Sequence, residues 1–192
     1  INMSEYGVPQ RRERVIIWGK RLDEAVNLMS LVPPKASRIA RVLEDVLNSI
    51  PDGLLNTEES EGGPKVSIFG KILRPGENLK DLSEHELKRR FVKAGVVDPP
   101  SKIKGHRPVY RLNPFTVAPT MVFNDGTNVP WHPWKDRRLT VRETATIQGF
   151  PLDFEFIGKL QDQYRQVANA VPPKFSEQLA NQFLKHLKGE LP

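Results

Sequence analysis

The chain alternates between stretches of helical periodicity and stretches of β-type residues. Ile39, Leu43, Val46, Leu47 and Ile50 recur at helical spacing and predict a helix over residues 37–50. Ser83-x-x-Glu86 reads as a capping box before a second helix, with Leu87, Phe91 and Ala94 on one face and Gly95 as its stop. Thr140-x-x-Glu143 opens a third helix in the same way, and Gly149 ends it. Pro172-Pro173 open a last helix whose apolar stripe is Phe175, Leu179, Phe183, Leu184 and Leu187. Lys185 and Lys188 sit in its last turn, where the helix dipole favours cations. Elsewhere, Arg14-Val15-Ile16-Ile17-Trp18 is a β-type run. Residues 108–131 read as short β segments broken by Pro114, Pro119 and Pro130, with Asn124-Asp125-Gly126 as a tight turn. Acidic residues with Gly62, Gly63 and Pro64 make residues 52–65 an exposed linker. The order predicts an α+β fold, without the Gly-rich strand–turn–helix unit of a complete nucleotide-binding domain.

Composition narrows the chemistry. The 192 residues include no cysteine, which excludes a disulfide framework, a cysteine-bearing zinc site and a thiol nucleophile from this chain. Four histidines show no metal-ligand spacing, so no metal is assigned. No apolar run approaches the roughly 18 residues of a membrane span and no signal peptide opens the chain, so a cytoplasmic protein is expected. Twenty-nine basic against 23 acidic residues give a net charge of +6. Residues 101–150 hold eight basic and three acidic residues, so five of the six net positive charges fall in that quarter. Such a stretch is either the footprint of a polyanion binder or a solvated basic face.

Gln10-Arg11-Arg12-Glu13-Arg14 leads straight into the first β-type run. Side chains alternate across a strand, so Gln10, Arg12 and Arg14 are expected on one face. Two guanidiniums there offer fork-shaped donors to a phosphate or a base edge; a surface ion-pair cluster around Glu13 is the alternative. Two further stretches stand out. One is Arg138-Leu139-Thr140-Val141-Arg142-Glu143 with Ile147-Gln148-Gly149-Phe150-Pro151. The other is Gln163-Tyr164-Arg165-Gln166-Val167-Ala168-Asn169-Ala170-Val171-Pro172-Pro173. With Tyr6-Gly7-Val8-Pro9-Gln10-x-Arg12-x-Arg14, these resemble motifs VIII, IX and X of the DNA (cytosine-5)-methyltransferases, in the family's order. Between the first two, Arg74-Pro75-Gly76-Glu77-Asn78 and Pro119-Thr120-Met121 look like features of the family's target recognition domain.

The resemblance implies an incomplete part of an α/β methyltransferase: residues 1–22 a motif VIII strand of the catalytic domain, 23–136 a small β-rich recognition domain, and 137–192 motifs IX and X with a C-terminal helix. It implies base flipping of a cytosine in duplex DNA and S-adenosyl-L-methionine as methyl donor. By the same resemblance, Arg14 contacts the flipped base, Arg12 helps hold the covalent intermediate, and Gln10 positions the strand and the displaced DNA strand. Thr120 would touch the phosphate beside the flipped nucleotide. Arg107 and Arg111, in the basic quarter, are candidates for base or phosphate contacts. Arg142 and Glu143 would organise the recognition domain, while Asn169, Ala170 and Val171 would line the methionine end of the cofactor. For Trp131 and Trp134, core packing is preferred to base stacking.

The departures are equally specific. The family's cofactor loop, Pro-Cys nucleophile and Glu-Asn-Val acid are absent from this sequence. The expectation is therefore the C-terminal part of such an enzyme, a fragment or the second subunit of a split one, inactive and without cofactor on its own. The alternative is a stand-alone, non-catalytic DNA-binding module. A missing N-terminal catalytic half is the implied partner. The stripe Phe175, Leu179, Phe183 and Leu187 should then meet an apolar surface not wholly supplied by residues 1–162, self-association being one way to cover it.

Overall fold

The structure, a computed structural model, describes residues 1–17, 19, 34–36, 40–55, 64–98, 109–123, 129–188 and 190, with the backbone alone at 64–67. Trp18, Arg107, the start of the first expected helix at 37–39, most of the expected linker and the Asn124-Asp125-Gly126 turn lie outside them. Six α-helices stand among the described residues: α1 (Leu43–Asn48), α2 (Pro64–Ile72), α3 (Glu84–Lys93), α4 (Val141–Gln148), α5 (Leu160–Asn169) and α6 (Pro173–Leu187).

The cap chemistry accounts for two of them. Thr140 and Glu143 form the full reciprocal box at the start of α4, with Thr140 Oγ1 accepting from Glu143 N at 3.1 Å and Glu143 Oε2 accepting from Thr140 N at 2.7 Å. Gly149 closes that helix at φ 89°, a left-handed conformation that glycine adopts without a Cβ penalty. At α3 only half of the expected box forms. Ser83 Oγ accepts from Glu86 N at 3.2 Å, but the Glu86 carboxylate turns away to Arg89 and Arg90. Two helices were not anticipated. Pro64 begins α2 rather than ending a linker, an N-terminal position where its missing N–H costs nothing. The run that forms α5 buries Tyr164, Val167 and Ala168 on one face.

The middle segment, expected to be β-rich, is not so among the described residues. Among the described residues the β pairing consists of isolated bridges: Asn2 with Glu13, Gln10 with Ala118, Asn78 with Tyr110, Arg111 with Trp131 and Trp131 with Arg138. Pro114, Pro119 and Pro130 each remove a donor and fix φ, so extended chain meets extended chain for one residue at a time. Beyond Glu13 the backbone of Arg14 still pairs with Ile1, donating N–H to Ile1 O at 2.9 Å and accepting from the Ile1 amino group at 3.0 Å; Val15 and Ile17 after it are 86% and 89% exposed. The fold described is mostly helical, with little strand.

Three apolar clusters hold these elements. The largest joins Leu43, Val46 and Leu47 of α1 to Leu112, Met121 and Phe123, to Ile147 of α4, and to Tyr164 and Ala168 of α5. Tyr164 also donates its hydroxyl to Leu139 O at 2.6 Å, so a buried phenol is satisfied. A second cluster packs Ile72, Leu73, Leu79, Leu87 and Phe91 around Trp131. Gly70 is essential to that fit, because a Cβ on it would lie 2.8 Å from Trp131 Cζ3. The third cluster seats Phe175 of α6 on Met3, Tyr6 and Val8, with the Tyr6 and Phe175 rings edge to face at 5.0 Å. Phe175 is therefore fully buried inside this chain and Leu179 packs beside it, so residues 1–162 cover the first part of the expected stripe, while Leu187 at its end, like Leu184, remains exposed. No described helix is long and apolar enough to cross a membrane.

Candidate functional site

The segment 9–12 is held by extended-chain contacts. Arg11 N donates to Ala118 O at 2.7 Å, and Ala118 N donates to Pro9 O at 3.0 Å. Side chains alternate as a strand requires: Gln10 and Arg12 are buried, Arg11 and Glu13 exposed. Arg11 and Glu13 form a loose exposed pair at 3.9 Å, a contact of little energetic weight. The alternation breaks at Arg14. Its side chain is exposed and donates to its neighbour Glu13 O at 2.6 Å, so it is not buried with Gln10 and Arg12.

Arg12 reaches the far end of the sequence. Its Nη2 donates to Ala168 O at 2.6 Å and to Ala170 O at 3.4 Å. Gln148, the last residue of α4, donates Nε2 to Val167 O at 3.2 Å and to Ala170 O at 3.0 Å. These carbonyls belong to the end of α5, where a helix leaves acceptors unsatisfied. No left-handed glycine closes α5; Ala170 is extended, and Pro172-Pro173 follow. Two buried side chains from remote segments supply the cap instead. Burial and the charge of Arg14 lower the Arg12 guanidinium to about 10, so it remains a cation at neutral pH. Gln10, beside it in sequence, is fully buried with neither amide atom partnered among the described residues.

The expected cofactor residues lie just past this cap. Asn169 and Val171 keep their side chains exposed, while Ala170 offers its carbonyl to Arg12 and Gln148. The structure thus brings Arg12 together with the Asn169–Val171 segment. Thr120 is also drawn in: its Oγ1 donates to Arg11 O at 2.7 Å.

Arg111 departs from expectation. It is buried, with Nη1 donating to Pro133 O at 3.2 Å and Nη2 to Gly70 O and to Asp136 Oδ1, the latter at 2.7 Å. A guanidinium committed to its own chain presents nothing to DNA, so Arg111 is a structural residue.

Glu143 and Arg142 have separate surroundings. Glu143 is buried and accepts from Arg137 through both oxygens, at 2.8 and 2.7 Å. Burial pushes its carboxyl up, but the Arg137 hydrogen bonds and charge and the Thr140 N–H outweigh that, and the group ionises below its usual range. His132 Nε2 lies 3.5 Å from Glu143 Oε1, while its Nδ1 accepts from the backbone N–H groups of Trp134 and Lys135, both at 3.2 Å. That arrangement is the neutral Nε2–H tautomer. Burial, aided by the charges of Arg137, Lys135 and Arg111, pushes His132 down to about 4. Arg142 is partly exposed and donates to Phe154 O at 2.7 Å. Trp131 lies in the core, whereas Trp134 is exposed beside the His132 ring.

Sequence reasoning did not single out Gln148 or Arg137. A polar residue on the apolar face of α4, adjacent to Ile147, was the available signal for the first. Nothing in the Arg137-Arg138 pair marks which one turns inward.

A sequence profile described as C-5 cytosine-specific DNA methylase matches residues 1–185. Type II methyltransferase M.BbvI of Brevibacillus brevis is 34% identical over 95% of this chain and 46% of its own length. Type II methyltransferase M.MthTI of Methanothermobacter thermautotrophicus is 34% identical over 100% of this chain and 56% of its own. A solved structure of a DNA modification methyltransferase from an E. coli prophage superposes with a TM-score of 0.58 at 19% identity, covering 98% of this chain and 59% of that one. The chain thus spans about half the length of the curated relatives it matches. With a profile match that includes the Arg12 segment, α4 and the capped end of α5, the chain belongs to the C-5 cytosine-specific DNA methylase family.

Proposed function

We propose that this chain is the target-recognition and C-terminal portion of a DNA cytosine-5 methyltransferase. The observation that carries the reading is the buried junction of Arg12, Gln148 and the Val167–Ala170 carbonyls, which ties the motif VIII, IX and X segments into one unit. Two further features support it. The chain has no cysteine, so the nucleophile must come from elsewhere. Val15 and Ile17 stand exposed on a β-type run, the state of a sheet strand whose neighbours belong to another part of the enzyme.

In this reading duplex DNA is the substrate and S-adenosyl-L-methionine supplies the methyl group. Asn169 and Val171, an exposed amide and an exposed apolar side chain on a backbone already capped from beneath, suit the polar and aliphatic parts of that cofactor's methionine end. Arg14, exposed at the edge of the Arg12 segment, is the cation available to a flipped base. Arg12 acts on the reaction by positioning Ala168–Ala170. Thr120, fixed to Arg11 O, places the chain at 118–120 against that segment. Residues 23–136 serve as the recognition domain, and the enzyme works in the cytoplasm.

The test is reconstitution. The purified chain and a separately expressed half carrying the Pro-Cys motif and cofactor loop are assayed with tritiated S-adenosylmethionine and duplex DNA. Incorporation is expected from the mixture and from neither half alone. Methyl transfer by this chain alone would overturn the reading, as would an inert mixture of two folded halves.

A further inference from the structure

Among the described basic residues of 101–150, several arginines are turned to the chain's own groups. Arg111 and Arg137 are buried in ion pairs, and Arg142 is engaged with Phe154 O. The exposed positive charge that the described structure gathers in one place lies elsewhere. A cleft of about 370 Å³ opens between the end of α2 and the last turns of α3, lined by Lys71, Arg74, Arg89, Arg90 and Lys93.

The cleft is built in two tiers. Arg90 forms the floor. Its side chain is 12% exposed and held by both oxygens of Glu77, by Glu86 Oε1 at 2.7 Å and by Ile72 O at 2.8 Å. These partners fix the cation in place, and its bond to Ile72 O caps the end of α2. Arg89 is clamped to Glu86 through two contacts of 2.9 Å yet stays 63% exposed. Around this frame Lys71, Arg74 and Lys93 are exposed and form no ion pair among the described residues. Five cations against Glu77 and Glu86 leave a local charge of +3.

We propose that this cleft is a docking surface for the phosphate backbone of duplex DNA, with Lys71, Arg74 and Lys93 as the contacting cations and Arg89 and Arg90 holding the surface in shape. The proposal rests on the reading of the chain as part of a DNA-acting enzyme and locates the surface that reading requires. The cations come from two elements and are open to water, which suits a row of phosphates. An enclosed, desolvated site would be needed to hold one small anion tightly. The lining carries no aromatic side chain on which an unpaired base could stack, which disfavours single strands. Contacts of this kind position the duplex and leave sequence readout to other residues.

The experiment is fluorescence anisotropy of a labelled duplex titrated with the full chain over a range of salt. One variant carries Lys71→Gln, Arg74→Gln and Lys93→Gln. A control carries Lys174→Gln, Lys185→Gln and Lys188→Gln, which removes the same charge from α6 and its C-cap. All three positions in the cleft are exposed, and circular dichroism checks that both variants fold. The slope of log K against log salt should flatten in the cleft variant by about 0.9 for each phosphate that is no longer neutralised, hence by about 2.7 if all three cations touch DNA. The control should keep the wild-type slope. Equal flattening in both variants would show a net-charge effect and overturn the proposal, as would an unchanged slope in the cleft variant. Flattening confined to single-stranded DNA would reassign the partner and also overturn it. A wild-type chain that binds no duplex at all would instead remove the DNA reading on which the proposal stands.

Discussion

At the scale of single residues, His132 and Glu143 carry the sharpest expectations. His132 is neutral in the folded chain until about pH 4, whereas the unfolded chain protonates it near 6.5. The unfolded state therefore binds the extra proton between those values. Stability should be full above about pH 6.5 and fall as pH drops toward 4, by up to about 3 kcal/mol from this group. His132→Asn removes the titration, and urea midpoints measured between about pH 7 and pH 5 should then lose most of their slope. Glu143 is the anion that Arg137 and the α4 cap share, so Glu143→Gln leaves a buried guanidinium uncompensated. A loss of about 3–5 kcal/mol is expected, read from the same unfolding curves. The role of Glu143 at a helix start was legible, because the Thr140 spacing announces it. The inward turn of Arg137 and the burial of Arg111 were not. Whether an arginine faces water depends on which carbonyls and carboxylates the fold brings near it, and these lie up to 41 residues away in the case of Gly70 and Arg111.

At the scale of elements, the end of α5 depends on side chains outside it. Gln148→Ala should remove two hydrogen bonds and leave Val167 O and Ala170 O with only their longer partners, Ala170 N and Arg12, costing about 1–3 kcal/mol. Arg12 caps the same turn, so a double-mutant cycle of Arg12→Leu with Gln148→Ala should give a coupling of at least about 0.5 kcal/mol; strict additivity would separate the two caps. Gly149→Ala should cost about 1–2 kcal/mol. Its Cβ would meet only the flexible Lys174 side chain at 3.5 Å, so the penalty lies in the left-handed backbone. Helix α4 was readable from its two signals, and α6 from its stripe. Helix α5 carried its signal in the i, i+4, i+7, i+8 spacing of Leu160, Tyr164, Val167 and Ala168, but neither a capping side chain nor a glycine stop marks its ends. The β-type middle misled because residue preference for extended chain survives proline, whereas a hydrogen-bonded ladder does not.

At the scale of the whole molecule, the ends of the sequence meet. Phe175 fills the cluster built by Met3, Tyr6 and Val8, and Gln178 Nε2 donates to Tyr6 O at 3.1 Å. Deleting residues 160–192 would strip Tyr164, Ala168 and Phe175 from two cores at once, and the shortened chain should lose a cooperative thermal transition by circular dichroism. The largest core has a different consequence, for inheritance. Leu43, Leu112 and Phe123 are packed against Ile147, Tyr164 and Ala168. A middle segment exchanged between relatives by recombination would arrive with an inner surface shaped for the donor's α4 and α5. Crossovers that carry residues 40–168 together should yield folded hybrids far more often than crossovers falling between 123 and 147.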